Sequence, residues 1–155
     1  MTVLENSVRI NASPEKVWSV LASLDALDQY DPGIQKSEIV SPLKQGLGSA
    51  RKCEFAGAKG WFKEKVAEWR PHESLSFELY ECTLPLRSLK HRYTLTTESG
   101  ATVVHQRMEY VLKFGPLGKV MDAVMVRKKW DVGIKDFFVG LKGYVETGKR
   151  PPGKG

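Results

Sequence analysis

Ile10-Asn11-Ala12-Ser13-Pro14-Glu15-Lys16-Val17-Trp18 carries a strand directly into a helix. Ser13 is placed to accept a hydrogen bond from an otherwise orphaned amide. Pro14 has no amide to satisfy and a φ preset near the helical value, which suits the first turn. Val17, Leu21 and Leu24, with Val20 beside them, then recur at helical spacing. The next stretch, Leu24-Asp25-Ala26-Leu27-Asp28-Gln29-Tyr30-Asp31-Pro32-Gly33, reads as a second short helix closed by Pro-Gly. Strand-like runs follow at about Ile34–Ser41, Ser49–Phe55, Trp61–Arg70, Ser74–Glu81, Arg87–Thr97 and Thr102–Phe114. Their breaks are short, and Glu98-Ser99-Gly100 is the clearest hairpin turn, so neighbouring strands are expected to run antiparallel. From about Gly118 to Thr147 the pattern changes to one long amphipathic helix. This order predicts an α+β fold: a curved antiparallel sheet wrapped around its last helix, with an apolar cavity between the two.

At 155 residues, 41% hydrophobic and 27% charged, the chain is sized for a single domain with a real core. That domain is expected over 1–148, followed by a loose tail over 149–155. No apolar run is long enough for a membrane span. Met1-Thr2-Val3-Leu4-Glu5-Asn6 has neither the basic start nor the apolar segment of a secretory signal, so a cytoplasmic address is expected. The net charge of +6 is spread among acidic residues and clusters only at Arg127-Lys128-Lys129 and in the tail (Lys149, Arg150, Lys154). With no recognition motif beside it, this charge predicts no nucleic-acid partner and leaves a weak attraction to anionic surfaces open. Cys53 and Cys82 fall on strands separated by a third, roughly 9–10 Å apart, too far to bridge, so both are expected as reduced thiols. No nucleophile elbow, phosphate loop or metal-ligand spacing occurs, and no cofactor or metal is expected.

At 100° per residue, Val120, Ala123, Trp130, Ile134, Phe137, Phe138, Leu141, Tyr144 and Val145 fall within a face about 120° wide, the face the sheet should grip. Arg127 projects from its middle, with two readings open. Its methylenes could cover the core while the guanidinium reaches water or Asp131, or its fork could enter the cavity and anchor a ligand carboxylate, phosphate or enolate. The reverse face carries Met121, Met125, Val132 and Val139, which suggests a second partner such as a symmetric homodimer, although Lys128, Lys129 and Lys135 lie beside it. Gly133, Gly140 and Gly143 weaken the helix and would permit close approach of another element.

Alternation along the strands yields the interior candidates. If Val66 faces inward, so do Phe62, Glu64 and Glu68; Phe77 goes with Leu75 and Leu79; His91, Tyr93 and Leu95 share a face; and Gln106, Met108, Tyr110 and Leu112 share another. Glu64, His91, Tyr93, Gln106, Tyr110 and Arg127 together could run acid–base chemistry, since burial tunes carboxylates and imidazoles toward neutral pH. The competing reading makes Glu64 a rim residue and His91 a satisfied structural histidine, because one bulge reverses a strand's faces. His72 and His105 fall at loop and outward positions.

The chain resembles the START-like (SRPBCC) helix-grip superfamily at Ala12-Ser13-Pro14-Glu15-Lys16-Val17-Trp18. It resembles that superfamily's polyketide cyclase/dehydrase branch at Lys65-Val66-Ala67-Glu68-Trp69-Arg70-Pro71, Leu89-Lys90-His91-Arg92-Tyr93 and Tyr110-Val111-Leu112-Lys113-Phe114-Gly115-Pro116-Leu117-Gly118. The resemblance, over about Asn6 to Gly148, implies a seven-stranded sheet gripping the C-terminal helix around a ligand cavity, with Tyr30 near its mouth, where a gating role is open. The function it implies is binding of a hydrophobic small molecule (a lipid, an aromatic polyketide or a quinone-like compound), with Tyr30, Glu64, Phe77, His91, Tyr93 and Met108 among the lining residues. Tyr110, Arg127, Trp130, Ile134, Phe137, Phe138 and Leu141 complete that lining. The alternatives are a cofactor-free polyketide cyclase or dehydratase and a co-chaperone-like module acting through its outer surface.

Overall fold

Ser13 caps the first helix as its sequence predicts: its backbone is extended (φ −69°, ψ 157°), its hydroxyl accepts from the Lys16 amide at 3.2 Å, and Pro14 opens the helical turn. In the computed structural model, which describes residues 1–152, this corner joins β1 (Thr2–Ile10) to α1 (Pro14–Leu21). A short 3-10 turn (Leu24–Ala26) and α2 (Leu27–Tyr30) follow. The strands β2 (Ile34–Ile39), β3 (Ala50–Phe55), β4 (Trp61–Arg70), β5 (Ser74–Cys82), β6 (Leu86–Glu98) and β7 (Ala101–Leu112) end within one or two residues of their expected bounds. All pairs are antiparallel, and the order β1-β7-β6-β5-β4-β3-β2 makes one seven-stranded sheet. At the β6–β7 hairpin Glu98 pairs with Ala101, and Ser99 (φ 48°) and Gly100 (φ 80°) take the positive φ values that a twisted two-residue turn demands.

The last helix begins earlier than expected, at Gly115, and runs to Thr147 in three parts: α3 (Gly115–Met121), one π turn (Asp122–Val126) and α4 (Arg127–Thr147). Gly148 closes it in the left-handed conformation, its amide donating to the Tyr144 carbonyl at 2.8 Å. Ile134, Phe137, Phe138, Leu141 and Val145 are buried against the sheet. Burying each large apolar side chain here contributes about 2 kcal/mol.

The π turn corrects the simple helical wheel. It holds extra residues per turn, so the buried face shifts by about one residue on its N-terminal side. Gly118 and Asp122 lie in the buried line there, while Val120 and Ala123 are exposed; Arg127, which opens α4 beyond the turn, is exposed as well. A bulge makes a second correction. The pairing of β4 with β5 shifts between Val66 and Glu68, which turns Glu68 to the outer face, where it accepts from Arg92 Nε at 2.8 Å. Trp69 faces inward instead and meets Trp18 edge-on at 5.1 Å.

Of Gly133, Gly140 and Gly143, Gly140 alone answers to close approach of another element. A Cβ there would lie 1.9 Å from the Tyr30 carbonyl oxygen, whereas at Gly133 and Gly143 it would meet nothing within 4 Å. Of the tail, residues 153–155 lie outside the described residues, and Pro151 sits beside Gly140. Cys53 and Cys82 are free thiols on either side of Phe62 of β4. Among the described residues no helix is long and apolar enough to cross a membrane.

Candidate functional site

The sheet register brings three charged or ionisable side chains together in the core. Arg51 of β3 stands directly opposite Glu64 of β4, and Phe77 of β5 stands opposite His91 of β6. Glu64 Oε1 accepts from Arg51 Nε at 2.8 Å and lies 2.7 Å from Arg51 Nη2. Glu64 Oε2 lies 2.7 Å from His91 Nε2. All three are buried, Glu64 to 1% exposure, and the carboxylate is therefore the hub of an interior Arg–Glu–His array. Phe77 floors it, stacked on His91 at 5.1 Å with the Arg51 guanidinium 4.3 Å above the Phe77 ring centroid. Arg51 Nη1 makes only a long contact, 3.4 Å, to the Leu24 carbonyl.

Burial alone would raise the Glu64 carboxyl, but His91 and Arg51, by charge and by hydrogen bonding, outweigh it and hold it down to about 2. Burial likewise opposes the Arg51 charge, and the Glu64 carboxylate overrides it and keeps the guanidinium protonated. Next to this pair, burial pushes the Cys53 thiol up to about 12 against the pull of Arg51. It also raises the Tyr30 and Tyr93 hydroxyls above the usual phenol range. An ionised Glu64 accepts a hydrogen bond from His91 Nε2, and Nδ1 is the ring nitrogen left without a partner.

One register step along, Tyr93 pairs with Gln106 of β7, whose Nε2 donates to the Tyr93 hydroxyl at 3.0 Å. His91 Nδ1 and Gln106 Oε1 are buried without a hydrogen-bond partner among the described residues. Leaving such a group unpaired costs about 1–3 kcal/mol. The aromatic roof above comes from α2 and α4. Tyr30 and Tyr93 both meet Phe137 at 5.7 Å between ring centroids, and Tyr30 meets Tyr144 at the same distance. Tyr30, expected at a cavity mouth, is instead fully buried.

The expected residues thus divide. Glu64, Phe77, His91, Tyr93, Tyr30 and Phe137 come together, with Met108 opposite His91 on β7 and Ile134, Phe138 and Leu141 buried along the helix. Tyr110 and Trp130 form a second cluster, their rings 5.0 Å apart. The Tyr110 hydroxyl, raised by burial and by its bond to Asp122, donates to Asp122, which also accepts from Thr2. Arg127 does not enter the interior: its side chain is 56% exposed and its Nη2 lies 3.6 Å from Asp122 Oδ2, while Asp131 pairs with Lys135. Met125, Val132 and Val139 are exposed and Met121 is half-buried. An open groove of about 440 Å³ lies between β1 and α4, lined by Val8, Phe138, Val139, Lys142 and Glu146 among others; of the expected residues it includes Phe138 and Val139.

Two site residues escaped the sequence reading. Arg51 shares strand parity with the buried Cys53, a usable signal. Asp122 is buried by the π turn, which the sequence pattern does not announce.

The family model described as polyketide cyclase / dehydrase and lipid transport matches residues 1–146. No curated protein matches the sequence. Among solved structures the chain is similar to TTHA0849 from Thermus thermophilus, at 20% identity and a TM-score of 0.80 over 93% of this chain and 97% of that one. It is also similar to a START superfamily protein from Mycobacterium smegmatis (18%, TM-score 0.76, 93% and 97%). A third is ginseng major latex-like protein 151 from Panax ginseng (14%, TM-score 0.74, 92% and 96%). At these identities the likeness is one of fold.

Proposed function

The chain belongs to the polyketide cyclase/dehydrase and lipid transport family, and from that premise we propose that it binds a hydrophobic small molecule between its sheet and its last helix. The ligand is of the aromatic polyketide, lipid or quinone-like kind. The observation that carries this reading is the interior itself: a polar array with two unpartnered polar atoms, His91 Nδ1 and Gln106 Oε1, set in an aromatic shell. A core serving stability alone gains little from a buried ion pair and loses by unpaired polar atoms. A ligand carrying hydroxyl groups, which both donate and accept, would satisfy both atoms while its apolar body displaces the Tyr30–Phe137 roof. Binding then derives from burial, with one or two polar contacts fixing orientation.

The test is titration with an uncharged, environment-sensitive naphthalene dye. Saturable, blue-shifted binding that weakens in Leu141→Trp and Phe137→Trp supports the reading. Binding that never saturates, or that ignores both substitutions, sinks it.

The Glu64–His91 pair favours a second reading, a cofactor-free cyclase or dehydratase. A buried carboxylate orients the imidazole and leaves Nδ1 to take a proton from an enolisable carbon. Deuterium exchange at the central carbon of a hydrophobic β-diketone, accelerated by the wild type and lost in His91→Gln with dye binding intact, separates the enzyme from the binder.

A further inference from the structure

The outer face of the last helix is apolar where a solvated helix would be polar. Phe114, Leu117, Val120, Val124 and Met125 are each 59–66% exposed. The helix repeat, with the π turn between Asp122 and Val126, sets these side chains on one side over about three turns. Phe114 is presented from a left-handed backbone (φ 77°), a conformation bulky residues rarely adopt. Exposed apolar clusters of this kind mark interaction sites.

Charge decides the partner. Lys113 precedes the cluster, Lys119 lies within its span, and Lys128 and Lys129 follow it by one turn. None of the four forms an ion pair among the described residues. The carboxylates nearest along the helix are already engaged: Asp122 holds Tyr110, Thr2 and Arg127, and Asp131 holds Lys135 and Asn6. A second copy of the chain laid against this face would bring like charges together, with no free carboxylate between Phe114 and Lys129 to meet them. A surface that is apolar below and anionic above has no such conflict.

We propose that this face, from Phe114 to Lys129, docks on an anionic lipid bilayer, its apolar side chains reaching the acyl boundary and its lysines meeting headgroup phosphates. The geometry is that of an interfacial amphipathic helix, in which buried apolar area and basic residues act together. The inference does not depend on what, if anything, the interior binds.

The full chain is mixed with vesicles of phosphatidylcholine alone and of phosphatidylcholine with phosphatidylglycerol in equal parts, and bound protein is measured by co-sedimentation. Wild type should partition onto the anionic vesicles, less so as salt is raised. Lys128→Gln with Lys129→Gln should weaken partition by about tenfold or more, since each basic residue near such a surface contributes about fivefold. Leu117→Ser with Val124→Ser should abolish it. All four positions are exposed, so unchanged thermal transitions show that the variants fold. Failure to bind anionic vesicles at low salt, or binding indifferent to both pairs of substitutions, overturns the proposal. A wild type that sediments as a dimer and becomes monomeric in Met125→Glu with Val132→Glu assigns the face to a second copy and overturns it equally.

Discussion

Replacing Glu64 with Gln keeps the shape of the interior array and removes its only negative charge. Wild-type Glu64 receives both Arg51 Nε and Nη2, at 2.8 and 2.7 Å, and stands 2.7 Å from His91 Nε2. An amide offers one uncharged acceptor oxygen where the carboxylate offered two charged ones. Arg51, with only 4% of its side chain exposed and a 3.4 Å contact to Leu24 left over, becomes a buried charge without a counter-ion. Breaking a buried pair from one side in this way costs about 3–5 kcal/mol. The carboxyl, held down by His91 and Arg51 against its burial, shows the same mutual dependence. For a domain of this size that lowers Tm by roughly 8–15 °C. Chemical denaturation of wild type and Glu64→Gln measures the difference. A loss below about 1 kcal/mol would refute the claim that the pair is buried and mutually dependent. The apolar triple variant Arg51→Met, Glu64→Leu, His91→Phe removes charge and partners together and should recover most of the stability. The pH dependence has a definite sign. Folded Glu64 holds its proton less tightly than in the unfolded chain, so its contribution is complete above about pH 5 and is lost as pH falls toward 2. Glu64→Gln should lack that share of the acid loss.

Gly140→Ala should destabilise by about 2 kcal/mol or more, because its Cβ would sit 1.9 Å from the Tyr30 carbonyl oxygen and force α2 off the helix. Gly143→Ala, with nothing within 4 Å, should gain about 1 kcal/mol; equal melts for the two would disprove the close approach. Ser13→Ala removes the acceptor of the Lys16 amide and should cost about 1 kcal/mol, read from a denaturant midpoint shift at unchanged slope. Cys53, buried and with its thiol pushed up to about 12, should resist alkylation until the protein unfolds, while half-buried Cys82 reacts first. Peptide mass spectrometry decides the order, and early labelling of Cys53 would contradict its burial.

The sequence by itself determined the elements and their order, since the signals for those are local. Ser13-Pro14 states a helix start, Ser99-Gly100 a hairpin, and the change of hydrophobic period after Phe114 a long helix, each through residues a few positions apart. Strand parity placed Glu64, Phe77, His91, Tyr93 and Met108 in the interior for the same reason. Tertiary structure decided whatever required a distant partner. The π turn buries Asp122 where it accepts from Thr2, 120 residues away in the chain, and from Tyr110, and the shift in phase exposes Val120 and Ala123. The bulge beside Val66 sends Glu68 outward to Arg92 because the mismatch is set by β5 pairing, not by anything in β4 alone. Arg51 lies inside because β4 and β6 place Glu64 and His91 beside it; a guanidinium remains buried only where counter-charge and hydrogen bonds meet it, and those come from other strands. Tyr30 became part of the roof because Gly140 lets its backbone lie directly on the last helix.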